Sequence, residues 1–310
     1  MNCTYRIIVR RILGSHSNGI IFSSDEILHD EAIMENDKFP YRYFVVTFLW
    51  TWIFWLPLAL VGLGIFPWGA GLVKKSLETA TILGGAGPAI GAIYSLRTLS
   101  GKGSMANYLK SMLDLRFGWK AWIIPVIVLG GITFIAWGLP ELWGEPRISM
   151  LLPSIWVFPL FLLSEIIMGG GLEELGWRGY IMDKMEDRLG PWLGNLVLGV
   201  IWAVWHLPLF FIPGTTQSYM NFLAFMLLAI GMSWFFAWVQ RSSGNRTTSA
   251  IVAHGLLNGF GFLFPTIVKM PNASQARYWI FASLGFVVGL ITMTIRSAKE
   301  SNSKPAAAQM

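Results

Sequence analysis

Two adjacent glutamates, Glu173 and Glu174, followed by Leu175, Gly176, Trp177 and Arg178, stand at the end of a long apolar run. A charged side chain at the centre of a bilayer costs at least ~2.5–3.5 kcal/mol and is kept there mainly for function. Two of the 4 histidines, His206 and His254, lie in stretches free of Lys, Arg, Asp and Glu. Carboxylate plus imidazole inside a membrane is the material of a hydrolytic site. A carboxylate in a low-dielectric pocket works as a general base near neutral pH. Hydrogen-bond donors can then stabilise the oxyanion that forms. Asn258 lies one helical turn beyond His254 and shares its face. Glu174 and Arg178 have the same spacing, which suits a charge-assisted hydrogen bond that steadies one carboxylate.

The elements that must hold these groups are membrane helices. Of the 310 residues, 54% are hydrophobic and 13% charged, against ~25% charged in a soluble domain. The mean hydropathy is +0.55, and the 16 Trp and 21 Phe suit lipid-facing and interfacial positions. The expected fold is all-α, a polytopic membrane protein with eight transmembrane helices and both termini cytosolic. A span needs ~20 apolar residues. Candidates lie at 43–73, 79–96, 121–140 and 148–172, two more within 189–240, and then at 247–268 and 278–295. The stretch 189–240 should break in the turn-rich run from Pro213 to Ser218.

With that layout, most of the 23 Lys and Arg residues fall on the face carrying both termini, which places that face in the cytosol. The net charge of +6 is therefore explained by loops at a membrane and gives no reason to expect nucleic acid. Cys3 is the single cysteine, so an intrachain disulfide and a cysteine metal cluster are both excluded. Residues 1–42 read as a cytosolic N-terminal tail with room for a short amphipathic helix. Met34 is equally suited to be the natural start, which would make 1–33 dispensable. Residues 43–296 form the membrane domain, with the catalytic core at about 150–265, and 297–310 read as a disordered cytosolic tail.

The span-four helix should continue past the glutamates, with Asp183 to Arg188 marking a solvated end, and turn at Leu189-Gly190-Pro191. Glu173 and His206 are nearly equidistant from Gly190, so on an antiparallel pair they reach equal depth. His254 and Asn258 reach a similar depth on a third helix, about 12 Å from the turn at Arg241–Arg246. Each residue alone has a plain explanation. A buried histidine is often a packing residue, an intramembrane asparagine is often interhelical glue, and Glu165 reads as a protonated, hydrogen-bonded structural acid. Together they argue for a functional polar site. A transporter or immunity protein that binds a peptide without cutting it is the alternative, because intramembrane Glu and His also relay protons. A scaffold glued by polar contacts is a third reading.

Three motifs in order, Glu173-Glu174-x-x-x-Arg178, Trp202-x-x-x-His206 and His254-x-x-x-Asn258, resemble those of the CAAX prenyl protease and bacteriocin-processing family, CPBP, also called Abi. The likeness covers about residues 150–265. Trp202 departs from it, since the family commonly shows Phe there. The resemblance implies an intramembrane endopeptidase in a prokaryotic cell membrane, its site facing the cytosol. Its substrate would be a membrane-anchored peptide or prenylated protein, or a bacteriocin-like precursor. Matching the motifs, Glu173 would activate water with His206. His254 and Asn258 would bind the oxyanion. Glu174, Arg178 and Trp202 would support them, with Arg178 expected to be a milder, partly structural contributor.

The chain has no HExxH zinc signature. Glu173, His206 and His254 could still offer the three protein ligands of a catalytic zinc. Metal-free chemistry with no cofactor required is favoured, because Asn258 is a poor zinc ligand and a good oxyanion donor.

Overall fold

A computed structural model describes residues 39–303, apart from 68 and 100–103. The possible amphipathic helix of the N-terminal tail and the Met34 start lie outside the described residues. Among those residues the regular structure is entirely helical. In chain order the α-helices are α1 (Tyr41–Gly62), α2 (Ala70–Gly85), α3 (Gly87–Leu99), α4 (Ser104–Met112), α5 (Trp119–Gly138) and α6 (Phe158–Ser164). They continue with α7 (Gly171–Gly176), α8 (Met182–Trp205), α9 (Phe222–Ser242), α10 (Thr247–Leu263) and α11 (Ala276–Ser303).

Among the described residues, six segments are long and apolar enough to cross a membrane. Two features separate that figure from the eight expected helices. The segment Ile155–Phe211 is 57 residues long and doubles back at Gly190, whose φ of 75° and ψ of 165° break the helix. Helix α10 has 17 residues and rises ~26 Å, short of a ~30 Å hydrocarbon core. The backbone at Gly190 lies in a region open essentially to glycine alone. Gly190→Ala should therefore lower stability by ~1–3 kcal/mol, read as an earlier thermal transition of the detergent-solubilised protein. An unchanged transition would mean that the hairpin does not depend on this conformation.

Several boundaries differ from the sequence reading. The fourth helix was expected from 148, but residues 148–154 are not helical, and the helix begins after Ile155–Val157 with Pro159 in its first turn. Pro153 explains this, since a proline drives the preceding residue out of the helical region. Helix α11 runs to Ser303 rather than stopping at 295, so the tail expected from 297 begins as helix. The supposedly solvated end near 183–188 also contains a buried charge. Glu186 takes two hydrogen bonds from Arg296 at 2.7 Å, one from Arg241 at 2.8 Å and one from Asn195 at 2.7 Å. This cluster ties the Gly190 hairpin to α9 and α11.

Helices α9 and α10 lie deep in the core, α9 packed between α8 and α11 and α10 against α5 and α7. Helix α10 is buried along most of its length. Large apolar side chains such as Leu49, Ile53, Ile127 and Leu160 face outward, as expected of a surface in contact with lipid. Close backbone approach sets the register between α10 and the helix carrying the glutamates. A Cβ on Gly170 would lie 2.8 Å from the Gly255 nitrogen and the Ile251 carbonyl. A Cβ on Gly255 would lie 2.7 Å from the Ile166 Cα. Only small residues permit such contact between helices in lipid.

Candidate active site

The glutamate pair sits on α7, a short α-helix between two π-turns at Glu165–Gly170 and Trp177–Ile181. Each wide turn absorbs an extra residue, so the faces of the helix are rotated relative to an uninterrupted α-helix. Glu173 and Glu174, adjacent on α7 and so ~100° apart around it, face separate partners.

Glu173 faces α8. Its Oε2 accepts a hydrogen bond from the Trp202 indole Nε1 at 2.7 Å, and its Oε1 lies 3.9 Å from the Nε2 of His206. His206 Nδ1 is 2.9 Å from the Trp202 carbonyl. A carbonyl can only accept, so Nδ1 carries a proton, and Nε2 is the ring atom turned toward the carboxylate. The Glu173 side chain keeps 13% of its surface exposed. It is thus mostly enclosed yet still reachable.

Glu174 faces α10 and is fully buried. Its Oε1 accepts from Arg178 Nη1 at 3.0 Å and from His254 Nδ1 at 2.9 Å. The Arg178 guanidinium is itself buried and lies over the rings of Trp202 and Phe236, at 5.3 and 5.2 Å. Such a desolvated cation over aromatic faces is well stabilised. The Glu174 contact orients His254 so that its Nε2 is the free ring nitrogen. Phe236 stacks on His254 with ring centroids 5.4 Å apart, and Trp202 meets it edge-on at 5.3 Å. Asn258, one turn further along α10, is half-buried, and its amide lies beside Gly169 together with the Glu165 carboxyl.

The structure therefore brings Glu173, Glu174, Arg178, Trp202, His206 and His254 together, with Asn258 one turn beyond His254 on α10. The Glu174–Arg178 pair and the facing Glu173–His206 pair follow the expected spacing. Three contacts were missed. That Glu174 would orient His254 needs the register of two helices distant in sequence. Trp202 was read as an aromatic substitute, yet its indole N–H is a donor that a Phe lacks, and that chemical difference could have flagged it. That the Glu165 carboxyl and the Asn258 amide would meet beside Gly169 likewise needs the register of two distant helices.

Among the described residues, no group of three His, Cys, Asp or Glu side chains is arranged to hold a metal ion.

The Trp202 contact is testable. Trp202→Phe keeps an aromatic ring beside His254 but removes a charge-assisted hydrogen bond of ~1.5–3 kcal/mol. About a tenfold fall in kcat is expected from a less firmly oriented Glu173. Wild-type kcat in this variant would show that the indole does not position the carboxylate.

Residues 153–260 match the family model described as type II CAAX prenyl endopeptidase Rce1-like. A stretch of 105 residues is 31% identical to the CAAX prenyl protease 2 of Methanococcus maripaludis, covering 32% of this chain and 38% of that protein. The matched stretch spans less than half the length of this relative, and residues 153–260 include every residue of the site described above.

Proposed function

We propose that this chain is an intramembrane endopeptidase of the CAAX type, a reading supported by the likeness of residues 153–260 to the Rce1-like family model. Its substrate class is a membrane-anchored peptide with a prenylated tail, as the name of its relative suggests. The observation that carries the reading is the facing pair of acceptors, Glu173 Oε1 and His206 Nε2, 3.9 Å apart. A water at ~2.8 Å from both can donate one O–H to each.

In the proposed reaction Glu173 removes a proton from that water, and the oxygen attacks the scissile carbonyl carbon. His254, protonated on both ring nitrogens, donates from Nε2 to the oxyanion, and the Asn258 amide donates beside it. When the C–N bond breaks, the carboxyl of Glu173 returns its proton to the leaving amine. Glu174 and Arg178 hold His254 in place for this. No step needs a metal.

We also read the chain as eight membrane helices with both termini in the cytosol and the site opening to that side. The Gly190 hairpin, the short helix α10 and the uneven distribution of basic residues support this reading. A lipid-anchored substrate would then partition into the bilayer and meet water at the pocket.

Two experiments test the proposal. Membrane peptides from cells expressing the wild type should be depleted of a precursor that accumulates with Glu173→Gln, and identical peptide profiles would contradict it. Cleavage by the purified protein should also survive exhaustive chelation with less than about a twofold loss, well below the ~10²-fold expected from removing a transition-state partner. Activity lost to the chelator and restored by added zinc would overturn the metal-free step.

A further inference from the structure

The carboxylate of Glu165 is the acidic group near the site that the proposed reaction does not use. It lies two turns before Glu173, inside the π-turn Glu165–Gly170. In an uninterrupted α-helix, residues eight apart are ~80° out of phase. The π-turn absorbs one residue, or ~100°, and brings the offset down to about 20°. The local backbone thus turns Glu165 onto nearly the same face as Glu173.

Helix α10 runs antiparallel beside that face, on the side toward which Glu174 points. Glu174 meets His254, Gly170 meets Gly255, and the Glu165 carboxyl and the Asn258 amide meet beside Gly169. The last pair closes over Gly169. A Cβ there would lie 2.8 Å from both Asn258 Nδ2 and Glu165 Oε2. The two polar groups therefore occupy space that is available because residue 169 has no side chain.

We propose that Glu165 is a positioning residue for the oxyanion donor. It accepts one N–H of the Asn258 amide and leaves the second N–H directed at the reacting carbonyl oxygen. Glu165 then does for Asn258 what Glu174 does for His254. Each donor on α10 is oriented by a carboxylate on the facing helix, one on either side of the Gly170–Gly255 contact. An unrestrained amide rotates among several orientations, and a donor stabilises a transition state only when it is already aimed. The inference rests on the endopeptidase reading, because it assigns Glu165 a part in that reaction.

The test is a set of variants assayed for kcat and KM on a prenylated peptide in vesicles, with thermal stability measured alongside. Asn258→Ala should lose ~10²–10³-fold in kcat. Glu165→Ala should lose about 10–100-fold in kcat, as partners that orient a reacting group typically do, with KM within about twofold of wild type. Glu165→Gln retains a carbonyl that accepts from Asn258 and should recover activity to within a few-fold of wild type. The decisive member is the double variant Glu165→Ala/Asn258→Ala. If Glu165 acts through Asn258, this variant is no slower than Asn258→Ala alone. Multiplied losses, or a Glu165→Gln as slow as Glu165→Ala, overturn the proposal. So does a Glu165→Ala that loses stability with unchanged kcat, the result expected of interhelical glue. Undiminished cleavage by Glu173→Gln is a separate outcome, which removes the endopeptidase reading itself and this inference with it.

Discussion

Glu173→Gln is expected to lower kcat by about 10²–10⁴-fold, the range for loss of a positioned general base, while the protein still folds. Gln matches Glu in volume, and its carbonyl can still accept the Trp202 indole N–H that reaches Oε2 at 2.7 Å. What it cannot do is take a proton from water. KM should change little, because the base acts in the chemical step and not in holding the anchored tail. Normal expression, a normal melting transition and absent cleavage would together isolate the proton transfer. Cleavage near the wild-type rate would show that another group activates the water.

Arg178→Ala is expected to be the most damaging substitution for stability. Its guanidinium and the Glu174 carboxylate are both fully buried and 3.0 Å apart. Removing one partner of a buried pair leaves an uncompensated charge at a cost of ~3–5 kcal/mol. That is a large share of the ~5–15 kcal/mol that stabilises a typical native protein. The change also removes a cation from the faces of Trp202 and Phe236. Since Glu174 orients His254 at 2.9 Å, activity should fall along with stability. This role is heavier than the i,i+4 spacing alone suggests, because sequence shows the pairing and not its burial. Denaturant or thermal unfolding in detergent checks the prediction, and an unchanged transition would mean that the pair is dispensable to the fold.

The parts of the site that were legible in sequence were those governed by local geometry. Glu174 and Arg178 are one turn apart on a single strand of chain, so their contact follows from helix periodicity. Glu173 and His206 lie on either side of one tight turn, and Gly190 next to Pro191 marks where that turn must fall. Their equal depth is then a matter of counting residues. The membrane class was legible for a similar reason, because uncharged stretches of this length have few other uses.

What sequence did not show depends on register between distant helices or on departures from ideal helix geometry. The contact of His254 with Glu174 needs the close approach of Gly170 and Gly255, two glycines whose meeting no spacing rule predicts. The phase of Glu165 depends on a π-turn, which adds a residue to one turn without an obvious compositional mark. Pro153 delays the fourth helix, an effect that apolar run length does not register. Glu186 was read as solvated because it stands among charges. The fold instead buries it against Arg296 and Arg241, which arrive from helices far along the chain.

The central claim is that Glu173 and His206 act as one unit on a single water. The most direct measurement compares Glu173→Gln, His206→Ala and the double variant, cleaving one prenylated peptide in reconstituted vesicles. Groups that act together are strongly non-additive when removed. The predicted result is a double variant within a few-fold of the slower single variant. Losses that multiply, or either single variant cleaving at the wild-type rate, would contradict it.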